Sequence, residues 1–75
     1  MALSTLTRLT EITVNGRAIA SPAATLAELL VAEGFADDIK VATAVNGDFV
    51  PVRLRAETRL ADGDRIEILS ARQGG

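Results

Sequence analysis

The sequence closes on two glycines, Gly74 and Gly75, and the reactive group they carry is the terminal carboxylate. At an average glycine usage near 7%, a pair at a chain end arises by chance about once in 200 chains. A carboxylate is a poor electrophile and must be activated, for example as an acyl-adenylate. The enzyme that does so must thread a chain end through a narrow channel, and residues without a Cβ pass where others clash. The Gly75 carboxylate is ionised at neutral pH, as α-carboxyl groups are. It can therefore attack the α-phosphate of ATP on a partner enzyme that supplies the metal and the cationic residues. Residues 71–75 have the length to leave a fold and reach into such a site. The competing reading is a loose chain end with no task.

Other chemistry is scarce. The chain has no cysteine and no histidine. The first absence removes disulfides and thiolate metal sites. The second removes the commonest general base and metal ligand, so neither a Ser-His nor a Cys-His nucleophile can be built from this chain alone. Asp62 and Asp64 flank Gly63 and can be read as a weak cation site, but no further ligands stand nearby, and a turn with hydrogen-bonding aspartates is the stronger reading. Arg53, Arg55 and Arg59 suit either a grip on an acidic partner or a solvated loop. Eight basic and ten acidic residues are mixed along the chain, for a net charge of -2. That balance leaves no footprint for nucleic acid. The two aromatic residues, Phe35 and Phe49, lie outside any basic cluster, which argues against base stacking. The longest apolar run, Leu29 to Ala32, is far below the roughly 20 residues that span a bilayer. The N-terminus has no signal-peptide pattern. The expectation is a non-enzymatic, cytoplasmic protein with no membrane and no nucleic-acid partner.

The elements that must position the tail can be read from periodicity. With 75 residues there is room for one domain, and 48% apolar residues are enough to fold it without staples. Residues 1–8 read as a loose leader, 9–70 as the domain and 71–75 as a flexible tail. Arg8 to Val14 alternates and is β-branched, with Ile12 and Val14 facing inward. Asn15-Gly16 is a type I′ hairpin signal, because both residues tolerate positive φ. A second strand runs from Arg17 to Ala20 and is broken by Ser21-Pro22. Thr25-Leu26-Ala27-Glu28 has the capping-box pattern, Thr25 accepting from the Glu28 amide and Glu28 reaching back to the Thr25 amide. The helix then runs from about Leu26 to Glu33, with its leucines in one stripe and Gly34 at the C-cap. Phe35 is expected to fold back onto the core. Val41 to Val45 is a strand, Asn46-Gly47 a second hairpin turn, and Asp48 to Val52 its return. Pro51 makes that return an edge strand or ends it early. Arg53 to Arg59 has room for one helical turn. Ala61 to Asp64 is a turn, and Arg65 to Ser70 is the last strand, with Ile66 and Ile68 inward. Leu69 falls on the outward parity. With Ala44, Phe49 and Arg72 it makes a candidate docking patch beside the tail, although single surface leucines are common.

The order ββαββ-turn-β is α+β, a sheet with one helix laid across it. In order and size it resembles the β-grasp, or ubiquitin-like, fold. The run from Ala42 to Pro51 and the run from Thr58 to Ile68 resemble the ThiS group of sulfur carriers of thiamin biosynthesis. The helix segment Thr25 to Leu30 and the closing Gln73-Gly74-Gly75 fit that group as well. The resemblance covers about residues 9 to 75. It departs from the family in the length of the leader and at Leu54, where the family often carries an aromatic residue.

This resemblance implies a function for the tail. A ThiF-like adenylyltransferase would use ATP to make the acyl-adenylate of Gly75. A persulfide from a cysteine desulfurase or another donor would convert it to a thiocarboxylate, and a thiazole synthase would take the sulfur. Gly74 and Gln73 would thread the partner's channel, and the carrier itself would bind no cofactor. Three alternatives share parts of the pattern. A MoaD-like carrier for molybdopterin synthesis has the same tail. A ubiquitin-like modifier would end on a lysine of another protein. A TGS-like ligand-binding module would not need Gly75 at all.

Overall fold

The computed structural model describes residues 8–35 and 40–70. Five strands form one mixed sheet. They are β1 (Thr10–Val14), β2 (Arg17–Ser21), β3 (Val41–Val45), β4 (Asp48–Val50) and β5 (Arg65–Ser70). One helix, α1 (Leu26–Ala32), lies between β2 and β3 in sequence, and a 3-10 helix, Val52–Glu57, follows β4. The strand order across the sheet is β2-β1-β5-β3-β4. This is the expected α+β architecture. The last strand is central, so the chain's C-terminal segment starts from the middle of the sheet and not from an edge.

Local chemistry accounts for each element. Asn15 and Asn46 have φ of 50° and 53°, and each is followed by a glycine at positive φ. Both hairpins therefore turn as type I′, whose twist matches that of the paired strands. β1 is shorter than expected at its start, and β2 runs one residue further, to Ser21. The Ser21 hydroxyl accepts from the amide of Ala23 at 3.1 Å, which turns the chain out of β2. At the start of α1, Thr25 Oγ1 accepts from the Glu28 amide at 3.2 Å as expected. The reciprocal half of the box is shifted: Glu28 Oε1 accepts from Ala24, at 2.7 Å, and not from Thr25. At its other end Glu33 is the cap and not a helical residue. The amides of Gly34 and Phe35 donate to the carbonyls of Val31 and Leu30. That is a Schellman closure, and it returns Phe35 to the core. Pro51 has both of its expected consequences, because β4 is an edge strand and ends at Val50 instead of Val52.

One face of the sheet supplies Ile12, Val14, Val41, Val50, Ile66 and Ile68 to the core, and α1 covers them with Leu26, Leu29 and Leu30. Full burial of each such side chain contributes about 1.5–3 kcal/mol relative to exposure. The arginine segment departs from expectation. Arg55 is neither a partner grip nor solvated: it is only 4% exposed. Its guanidinium donates to the Val41 carbonyl at 2.6 Å and to Thr43 Oγ1 at 3.3 Å, and Thr43 in turn donates to the Val50 carbonyl. The 3-10 helix is thereby tied beneath β3 and β4.

Candidate functional site: the open sheet face and the root of the tail

The face of the sheet opposite α1 is open. On β5 it carries Arg65, Glu67 and Leu69, all exposed, between the buried Ile66 and Ile68. The register places Ala42 opposite Leu69, and Ala44 opposite Glu67 on one side and Phe49 on the other. Leu69, Ala44 and Phe49 thus stand on three adjacent strands of one face. Leu69 is 63% and Phe49 68% exposed. Leu69 is the penultimate residue of β5, so this patch adjoins the point where the chain leaves the sheet. Arg72, Gln73, Gly74 and Gly75 lie outside the described residues, as does most of the 1–8 leader.

What holds β5 in place is partly backbone and partly side chain. Antiparallel pairing with β3 runs over five residue pairs, from Val41↔Ser70 to Val45↔Ile66. Parallel pairing with β1 covers only Thr13↔Arg65 and Val14↔Ile66, because β1 then enters its hairpin. Two asparagines make up the difference. Asn46 accepts at Oδ1 from the Arg65 amide at 2.8 Å and donates from Nδ2 to Asp64 at 2.9 Å. Asn15 accepts at Oδ1 from the Ile68 amide at 2.8 Å and donates from Nδ2 to the Ile68 carbonyl at 3.1 Å. Sequence reasoning read both residues only as turn formers. An asparagine, where glycine or aspartate would also satisfy the turn, was the available signal.

Asp62 and Asp64 belong to the same scaffold. Asp62 Oδ1 accepts from the Glu11 amide and Asp64 Oδ2 from the Ala61 amide, so both serve the turn that leads into β5. No group of three or more metal-capable side chains occurs among the described residues. Among those residues there is also no helix long and apolar enough to cross a membrane. A shallow cleft lined by Arg8, Pro22, Arg59 and Leu60 lies at the β1–β2 end. Of the residues that the sequence nominates it contains Arg59 and Asp62, and none of the Leu69, Ala44 and Phe49 patch.

Five strands in this order, with one helix across a single face, define a β-grasp, ubiquitin-like domain, and comparison with known proteins narrows that class. The model of the ThiS family matches residues 6–75, nearly the whole sequence and through both terminal glycines. The chain belongs to the ThiS family. Its structure is similar to the crystal structure of the thiamine biosynthesis protein ThiS from Geobacter metallireducens, with a TM-score of 0.71 and 30% sequence identity. That match covers 81% of this chain and 93% of the other. No curated protein sequence matches the chain.

Proposed function

We propose that this protein is a sulfur carrier for the thiazole ring of thiamin and that Gly75 is the residue that carries the sulfur. The observation behind this reading is the family match, which runs through Gly74 and Gly75 on a chain with neither histidine nor cysteine. The solved relative, named as a thiamine biosynthesis protein, favours thiamin over molybdopterin as the destination.

The chemistry then belongs to partners. A ThiF-like adenylyltransferase binds the ATP. The Gly75 carboxylate oxygen attacks the α-phosphate, pyrophosphate leaves, and the carboxyl carbon becomes an electrophile. The terminal sulfur of a persulfide, supplied by a cysteine desulfurase or another donor, attacks that carbon and displaces AMP. A second thiol cleaves the resulting acyl disulfide at the S–S bond, is itself oxidised to a disulfide, and leaves the thiocarboxylate. A thiazole synthase accepts the sulfur. Gly74 and Gln73 occupy the narrow part of the adenylyltransferase channel. Leu69, Ala44 and Phe49 dock the body of the carrier, with Arg72 at the rim. The exposure of Leu69 and Phe49 on one face, with the half-buried Ala44 on the strand between them, supports that role.

ATP–pyrophosphate exchange by the cognate adenylyltransferase tests this reading. Exchange should depend on the carrier and vanish when Gly75 is deleted. Leu69→Ser should raise the carrier concentration needed for half-maximal exchange. Undiminished exchange with the Gly75 deletion would refute the proposal.

A further inference from the structure

We propose that Asn46 is a site of spontaneous deamidation in the folded protein, and that Asn15, in the same local sequence, is protected by its contacts with β5. The two hairpin turns share one tripeptide, at Val14-Asn15-Gly16 and at Val45-Asn46-Gly47. Glycine after asparagine favours the reaction, because no Cβ stands beside the attacking nitrogen. Both glycines are exposed. In a type I′ turn the amide of the second central residue is not the one that closes the turn, so hydroxide can reach its proton. The deprotonated main-chain nitrogen of the glycine attacks the side-chain carbonyl carbon of the asparagine. A C–N bond forms, the bond to Nδ2 breaks, and Nδ2 leaves as ammonia after taking a proton from water. Water then opens the succinimide at either carbonyl, which gives aspartate or isoaspartate. No partner is needed, and the chemistry is independent of the carrier reading.

The reaction has a geometric demand. The side-chain carbonyl carbon must swing over the next main-chain nitrogen, so a side chain held elsewhere must first be released. The two asparagines differ in what holds them. Asn15 accepts from the Ile68 amide at 2.8 Å and donates to the Ile68 carbonyl at 3.1 Å, and both bonds are partly buried. Ile68 lies inside β5 and is only 5% exposed. Asn46 accepts from the Arg65 amide at 2.8 Å and donates to Asp64 Oδ1 at 2.9 Å, and both of these bonds are exposed. Arg65 is the first residue of β5, and Asp64 belongs to the turn before it. Bonds at an exposed strand end open at a lower free energy than bonds to a strand interior. Asn46 therefore reaches the reactive geometry more often. The product has a structural consequence. Aspartate at 46 loses the Nδ2 donor and sets a second carboxylate against Asp64, and like charges repel. Isoaspartate adds a main-chain carbon to a turn that fits only two residues of standard length. Either product loosens the start of β5.

Peptide mapping of the folded protein, aged at mildly alkaline pH, tests this. Trypsin separates the sites, since cleavage at Arg8, Arg17, Lys40 and Arg53 places Asn15 in peptide 9–17 and Asn46 in peptide 41–53. Exchange of NH2 for OH should accumulate at Asn46 about tenfold faster than at Asn15. In the urea-unfolded chain the two identical tripeptides should react at rates within about threefold of each other. Asn46→Asp should raise hydrogen exchange at the Arg65 amide by about tenfold, and the aged protein itself serves if that variant does not fold. Loss at Asn15 as fast as at Asn46 in the folded chain would overturn the assignment. So would no loss at either site under conditions in which the unfolded chain reacts. An unchanged Arg65 amide would overturn the consequence drawn for β5.

Discussion

Arg55 shows how much one residue can carry in a 75-residue fold. Its guanidinium lies under β3, bonded to Val41 and Thr43. Removing one partner of a buried hydrogen bond exposes the desolvation cost of the group left behind, about 1–3 kcal/mol, and a truncated side chain adds a cavity. Arg55→Ala is therefore expected to cost about 3 kcal/mol in urea unfolding, a large share of the roughly 5–15 kcal/mol that stabilises a small domain. Arg55→Lys should recover only part of this loss, because a point ammonium cannot reproduce the fork of donors. A loss below about 0.5 kcal/mol for Arg55→Ala would mean that the buried contacts contribute little. Nothing in the local sequence separates Arg55 from Arg53 and Arg59, which are exposed. The three alternate at odd positions in a segment with no period. Only the fold decides which one turns inward.

At the scale of elements, the sequence was a better guide where local chemistry rules. Both Asn-Gly turns, the Thr25 cap, the Gly34 stop and the interruption at Pro51 follow from one or two residues each, and all are present. The inward parity of Ile12, Val14, Ile66 and Ile68 follows from alternation alone. Boundaries drifted by one or two residues because strand ends are set by partners. β2 reaches Ser21 since Thr10 pairs with it, whereas β4 stops at Val50 because Pro51 follows, although its partner β3 continues to Val41. The shift of the Glu28 contact to Ala24 has a tertiary cause as well. The Leu26 amide and the Ala24 carbonyl are engaged by Thr58 and Leu60, which sets the chain's path into the helix. Thr25→Ala should cost about 1 kcal/mol of stability, the usual loss for an N-cap. Thermal unfolding reads this directly, and an unchanged melting temperature would show that the bridge between Thr25 and Arg59 holds the helix start without the hydroxyl.

For the whole molecule, the central position of β5 organises everything else. The strand is clamped on both sides by main-chain ladders, and the two hairpin asparagines extend that clamp. The turn at Asp62 to Asp64 aligns its start. The core lies on the helix side, and the opposite face carries the exposed Arg65, Glu67 and Leu69. The order of elements was legible in the sequence. The strand pairing was not, because periodicity tells which side chains share a face and not which strands are neighbours. Of the candidate site, Leu69 follows on the outward face from parity, and Ala44 and Phe49 are grouped with it. Their adjacency required the register. The glycine pair was legible as a motif, and under the proposed function its chemistry belongs to a partner enzyme.

The most direct test is the intact mass of the protein after incubation with its adenylyltransferase, ATP and a sulfur donor, beside a variant lacking Gly75. The account predicts a gain matching replacement of one oxygen by sulfur, confined to the chain with the complete Gly74-Gly75 end. An unmodified wild-type mass, with an adenylyltransferase shown to be active on another carrier, would contradict it.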